Sequence, residues 1–160
     1  MIRQICRQDL KNCAEVIQKS FMTVADTFGI TPQNAPHFIA FAISLERLLW
    51  ELEQEKRLMF GYYESESLVG YFSLLVLDEH ICELNHLCVL EEFRHKKIGR
   101  TLFAYACSKA GQLGCNLLRF SIVEENKELR TWYESLGAVH VETKKYDFFP
   151  FTCGYMEKLL

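Results

Sequence analysis

Ile81-Cys82-Glu83-Leu84-Asn85-His86-Leu87-Cys88-Val89-Leu90-Glu91-Glu92-Phe93-Arg94-His95-Lys96-Lys97-Ile98-Gly99-Arg100 is the stretch on which the reading of this chain turns. Residues 81–90 are rich in aliphatic side chains and predict a strand. Ile98, Leu102, Ala106, Ala110 and Leu113 recur at three- and four-residue spacing and predict a helix. Between them lies a basic cluster: Arg94, His95, Lys96, Lys97 and Arg100. A strand–turn–helix junction leaves backbone N–H groups unpaired at the positive end of a helix dipole, which suits a phosphate. Cations in a first helical turn oppose that dipole by about 0.3 kcal/mol or more each. Their concentration here therefore argues for a bound polyanion over a solvated helix start. Gly99 reads as the point where a phosphate approaches the backbone. A P-loop is not supported, because no Gly-Lys-Ser/Thr follows a second glycine at the required spacing.

Upstream, residues 2–6 predict a short strand. Asp9 stands where an N-cap would precede Leu10, Cys13, Ala14, Ile17, Phe21, Val24, Ala25 and Phe28, an amphipathic helix closed by Gly29. Residues 31–36 form a polar turn. One further helix starts near Pro36 and carries Phe38, Phe41, Ala42, Leu45, Leu48, Leu49 and Leu52. Residues 58–63 and 68–77 change to strand character around a Glu-Ser-Glu-Ser turn and predict a hairpin. Downstream of the helix at Ile98 come a strand over 117–123, a short helix over 126–136 stopped by Gly137, and strands over 139–145 and 154–158. The expected fold class is α/β, a mixed, mostly antiparallel central sheet flanked by helices, in the order β-α-α-β-β-β-α-β-α-β-β. One β-α-β crossover joins residues 81–123.

The chain's 160 residues suit a single domain over 1–160. With 49% hydrophobic and 24% charged residues it is a globular composition and not a disordered one. A net charge of −3 argues against nucleic acid as a partner, since that needs a broad basic surface. No signal peptide and no apolar run of membrane-spanning length is present, so no membrane partner is expected. The seven cysteines lack Cys-x-x-Cys spacing and sit mostly in apolar runs. They read as reduced thiols of a cytoplasmic protein without a structural metal. A homodimer is left open.

Leu87-Cys88-Val89 followed by Arg94-His95-Lys96-Lys97-Ile98-Gly99 and Leu102 resembles motif A of the GNAT superfamily of N-acetyltransferases. That motif is an arginine or glutamine, two residues, Gly, any residue, and Gly or Ala. Lys97 replaces the first glycine, and the turn is expected to form if residue 97 keeps helical φ/ψ. Asn126-Lys127-Glu128-Leu129-Arg130-Thr131-Trp132-Tyr133-Glu134-Ser135-Leu136-Gly137-Ala138 resembles motif B. The resemblance spans nearly the whole chain. It implies transfer of an acetyl group from acetyl-CoA, as cosubstrate, to an amine-bearing acceptor, with no metal and no covalent enzyme intermediate.

The resemblance also implies roles. Backbone groups of Cys88 and Val89 pair with the pantetheine arm, and the Val89 N–H polarises the thioester carbonyl. Arg94, His95, Lys96, Lys97, Ile98, Gly99 and Arg100 take the phosphates, and Asn126 bonds the arm or simply caps its helix. Glu83 is the expected base, since at period two it shares a face with Asn85, Leu87 and Val89; an ordinary polar residue on an exposed strand is the competing reading. Tyr133 is the expected acid for the departing thiolate, against a role as a core aromatic. His86 and Cys88 fall on the face opposite Glu83, where His86 reads as a satisfied buried histidine and a Cys88–His86 nucleophile is disfavoured. Asp26, Glu124 and Glu125 could attract a cationic amine, and Tyr146, Phe148, Phe149 and Phe151 could line its cleft. Two other activities stay in view: a catalytically silent acyl-CoA sensor or partner-binding module, and a hydrolase using Cys88.

Overall fold

In the computed structural model, which describes residues 1–160, β1 (Ile2–Gln4) leads through a single 3-10 turn into α1 (Leu10–Phe28). Then follow α2 (Ile39–Ala42), α3 (Leu45–Glu53), β2 (Leu58–Glu64), β3 (Ser67–Val76) and β4 (Ile81–Val89). The chain ends with α4 (Ile98–Gln112), β5 (Leu117–Val123), α5 (Lys127–Ser135), β6 (Val139–Lys145) and β7 (Thr152–Leu159). The strands form one sheet in the order β1-β2-β3-β4-β5-β7-β6. Every neighbouring pair is antiparallel except β4–β5, the two ends of the crossover through α4.

Two cores flank the sheet. Leu10, Cys13, Ile17 and Leu48 from α1 and α3 close on Met59 and Tyr71 on one face. Ile98, Leu102 and Phe103 of α4 and Tyr133 of α5 close on Phe72, Leu118 and Met156 on the other. The predicted apolar stripe of α1 is thus buried, and Gly29 ends it with φ 64°, its N–H bonding to Ala25 O. No helix is long and apolar enough to cross a membrane.

Two expectations need correction. Asp9 does not cap α1: its own backbone is already helical, and its carboxylate instead accepts the Cys6 N–H at 3.0 Å, closing the preceding turn. The single helix expected beyond Pro36 is two helices, because Ile43 and Ser44 are extended. The Ser44 hydroxyl accepts the Arg47 N–H at 3.1 Å and so starts α3 afresh. The amphipathic spacing survives the break, and for that reason periodicity alone did not reveal it.

Candidate active site

The decisive feature is a gap in the sheet. β4 and β5 pair only at Ile81–Leu117, Cys82–Leu118 and Glu83–Arg119, although the strands run on to Val89 and Val123. Beyond Glu83 the two strands splay. Leu90 N–H donates to Val69 O of β3 at 2.9 Å. Because N–H groups alternate along a strand, that of Val89 must point the other way, into the gap. The gap is a strand-shaped vacancy with backbone polar groups along its β4 edge.

The turn leaving β4 supplies the second element. The amides of residues 95–100 take no backbone or side-chain acceptor within the chain. They lie at the mouth of α4, where an anion is favoured. His95, Lys96, Lys97 and Arg100 are exposed around them, whereas the Ile98 side chain is 3% exposed and only its N–H faces the turn.

Lys97 does not keep helical φ/ψ. It is the N-cap of α4 at φ 65°, ψ 3°, the left-handed conformation natural to glycine, and His95 is left-handed too, at φ 63°. Lys97→Gly should therefore stabilise the protein by about 1 kcal/mol, read by denaturant unfolding; an unchanged or lowered stability would contradict the strain.

Gly99 borders α5, and Arg94 differs from expectation. A Cβ on Gly99 would lie 3.4 Å from the Trp132 ring of α5, ordinary van der Waals contact. The Arg94 side chain turns away from the turn. It donates from Nε to Val89 O at 3.0 Å, and from Nη2 to Ser20 O at 3.1 Å and Thr23 Oγ1 at 2.9 Å. It thereby ties the turn to α1. Asn126 caps α5 through the Leu129 N–H at 3.2 Å, leaving its amide N–H2 free. A cleft of about 470 Å³ lies between α1, Arg94 and the start of α5, lined by Thr23, Thr27, Glu91 and Asn126 among others.

β4 itself is irregular. His86 has φ 56°, and the register with β3 slips between Tyr71 and Ser73, so that His86 and Leu87 together oppose Phe72. This bulge reverses the alternation of the strand. Cys82, Leu84 and Val89 face α4, while Cys88 packs with the α1 core. Glu83 and Asn85, alternating with Cys82 and Leu84, therefore share the face of Cys88 and not that of Leu87 and Val89. His86 lies on the Glu83 face as well, its ring edge-on to Phe21 of α1 at 6.1 Å.

Glu83 accepts the Asn85 side-chain N–H and lies 3.6 Å from the Arg57 guanidinium, which also pairs with Glu55. Burial, then Arg47 and Arg57, hold the His86 imidazole neutral, with its pKa down to about 3. His86 is not the satisfied histidine expected from sequence: Nδ1 is inaccessible and has no partner. An orphaned buried polar atom costs about 1–3 kcal/mol. Tyr133 is 5% exposed, packed between Phe103 and Phe120, and burial followed by the nearby Cys88 thiol raises its pKa. Its phenol is therefore protonated, and its oxygen has no hydrogen bond within the chain. Burial likewise pushes the Cys88 thiol up to about 12, against nucleophilic use.

The Acetyltransferase (GNAT) family model matches residues 26–138. The chain belongs to the GNAT family. It is an N-acetyltransferase, moving an acetyl group from acetyl-CoA to an amine. It is 30% identical to spermidine N(1)-acetyltransferase of Thermoplasma acidophilum over 124 residues, covering 72% of this chain and 75% of that protein. It is 26% identical over 145 residues to an uncharacterized N-acetyltransferase of Lactobacillus delbrueckii subsp. lactis, covering 85% of this chain and 82% of the other. Among solved structures, the PaiA N-acetyltransferase of T. acidophilum in complex with coenzyme A matches with a TM-score of 0.84 at 24% identity, over 100% and 98% of the two chains.

In this GNAT chain the gap edge at Val89, the free amides of 95–100 and Asn126 border one side of the sheet opening, and Glu83 stands on the α1–α3 face. The glutamates expected to attract an amine have partners: Glu124 pairs with Arg130 at 3.3 Å and His140 at 2.9 Å, and Glu125 accepts the Thr152 N–H at 2.9 Å. Asp26 is exposed, Phe151 is core, and Phe148 is 52% exposed on the β6–β7 loop. Sequence reading missed Arg57 as the partner of Glu83 and Thr23 as an anchor of Arg94, both distant in the chain. A glycine-poor motif A was the one local sign that the turn would need strained residues.

Proposed function

We propose that the transferase binds acetyl-CoA along the β4–β5 gap and acetylates a small cationic alkyl amine directly, with spermidine the first acceptor to test. The observation that carries this reading is the run of acceptor-free amides from residue 95 to 100, in the turn that leaves the unpaired β4 edge. A diphosphate would take the amides, and the pantetheine arm would fill the strand vacancy. His95, Lys96, Lys97 and Arg100 would surround the phosphates, with Arg94 holding the turn and Asn126 offering its free amide to the arm.

The acceptor would approach from the face bearing Glu83. The register places Arg119 beside Glu83, Glu157 beside Arg119, and Ser121, Tyr155 and Glu142 in the next row. Cross-strand neighbours point to one face. α1 packs over β3 and β4, and this floor beside it keeps Arg119 and Tyr155 partly exposed and Ser121 exposed. Its three carboxylates, Glu83, Glu142 and Glu157, outnumber the two guanidiniums, Arg119 and the Arg57 that faces Glu83, which favours a cation over the open floor. The named activity of the T. acidophilum relative supports the same class.

Glu83 would remove one proton from the ammonium, directly or through water. The amine nitrogen then bonds to the thioester carbon, with the carbonyl oxygen steadied by the Val89 N–H. As the C–S bond breaks, Tyr133 would protonate the sulfur and recover a proton from the nascent amide nitrogen. The free thiols, every cysteine being unpaired, support action in a reducing compartment such as the cytoplasm.

The test is thiol release from acetyl-CoA over a panel of polyamines, amino acids and peptides, with coenzyme A binding titrated in parallel. Turnover is expected on polyamines. Tight binding without turnover on any amine would instead favour a sensor. Tyr133→Phe should lower kcat by about 100-fold, whereas Cys88→Ala should leave it nearly unchanged. The reverse pattern would point to Cys88 chemistry.

A further inference from the structure

Beside Glu83 the interior is polar in a way that packing does not explain. The buried side-chain atoms without a hydrogen bond of good geometry are Ser20 Oγ, Glu51 Oε2, Arg57 Nη1, Tyr71 Oη, Ser73 Oγ and His86 Nδ1, although Arg57 Nη1 stands 3.6 Å from Glu83. All belong to the α1–α3 flank of β3 and β4. Tyr71 is the strand partner of Cys88, and Ser73 is that of Asn85. Arg57 faces Glu83, and the His86 ring abuts Phe21 of α1. Tyr71 and Ser73 are fully buried, and Ser20 and Glu51 are 2% exposed.

Donors and acceptors are mixed here: three hydroxyls, one guanidinium N–H, one carboxylate oxygen and one ring nitrogen. Such a set suits water or an amine, each of which both donates and accepts. An isolated cation would find Arg47 and Arg57 against it. His86 lies on this face of the sheet, one residue beyond Asn85 and against Phe21 of α1. The bulge carries it out of the regular strand, the left-handed backbone is one that histidine tolerates, and the residue keeps some exposure although Nδ1 is closed off. Neither ring nitrogen is bonded within the chain. Burial, and then the flanking arginines, keep the ring neutral, so one nitrogen remains an acceptor at neutral pH.

We propose that His86 is a positioning residue for the acceptor: its imidazole, with water held among Ser73, Tyr71 and Arg57, orients the amine for deprotonation by Glu83. This rests on the transferase reading above, with Glu83 as base. The acceptor nitrogen then meets two hydrogen-bonding directions, the carboxylate and the imidazole-bound water, and its lone pair is left toward the gap.

The test compares His86→Leu, His86→Gln and Ser73→Ala with the wild type, using the fastest amine of the panel. His86→Leu should raise KM for the amine about tenfold or more, and it should leave the Kd for coenzyme A unchanged. His86→Gln, which restores a polar group at similar reach, should recover most of that loss. Ser73→Ala, a smaller change in a regular strand, should raise the amine KM in the same direction and keeps the test alive if His86→Leu does not fold. An unchanged amine KM in His86→Leu, or in Ser73→Ala when the former is unfolded, overturns the proposal. So does Gln behaving no better than Leu. A wild type that binds coenzyme A but turns over no amine sinks the transferase reading itself, which is a different failure.

Discussion

Glu83→Gln should lower kcat/KM for the amine by about 10²–10⁴ at pH 7, while leaving coenzyme A affinity unchanged. An alkylammonium with a pKa near 10.4 costs roughly 4–5 kcal/mol to deprotonate at neutral pH, and glutamine cannot take that proton. The substitution is otherwise gentle. Its side-chain oxygen can still accept from Asn85, and Arg57, 3.6 Å away, keeps its own pairing with Glu55. Stability should therefore change little. The deficit should also shrink as pH rises toward the amine pKa, because free amine increases about tenfold per pH unit. Near-wild-type turnover across that pH range would remove Glu83 from the chemistry and leave the cofactor site standing.

The second large effect separates binding from folding. Lys96→Glu, Lys97→Glu and Arg100→Glu together should weaken coenzyme A binding about 100-fold or more, since like charge is then set against a diphosphate at the cost of several kcal/mol. The same three changes put carboxylates at the positive end of α4, where each stabilises a helix by about 0.3–1 kcal/mol. The variant should thus melt no lower than the wild type while losing its cofactor. If calorimetry finds affinity retained, the free amides of 95–100 do not hold the nucleotide. If affinity and melting temperature fall together, the basic cluster is structural.

Much of this was legible along the chain. Local rules place α1, the β2–β3 hairpin and α4, because period, caps and turn residues act over a few positions. The mostly antiparallel sheet with one parallel crossover follows from element order, and motifs A and B pointed to the family. The errors are instructive for the same reason. Ser44 interrupted a helix whose apolar spacing ran straight through it, a local capping bond outweighing the periodic pattern. Lys97 and His95 adopted left-handed backbone because the junction demands it, whatever side chain stands there.

The site's sidedness came from elsewhere. Period two assigned Glu83 and Val89 to one face, and a single inserted residue at His86 reversed that, since one extra position in a strand exchanges its faces. Nothing within a few residues of His86 announces the bulge; it depends on how β3 aligns opposite. The sequence by itself determined the class of fold, the basic strand–turn–helix junction and the identity of the chemical groups available, because each is a matter of short-range propensity and charge. Only the tertiary structure decided that β4 and β5 part after Glu83, that Arg94 braces α1, that Arg57 stands beside Glu83, and that His86 lies among buried polar groups. These are contacts between residues far apart in the chain, and they are fixed by packing and register rather than by neighbours.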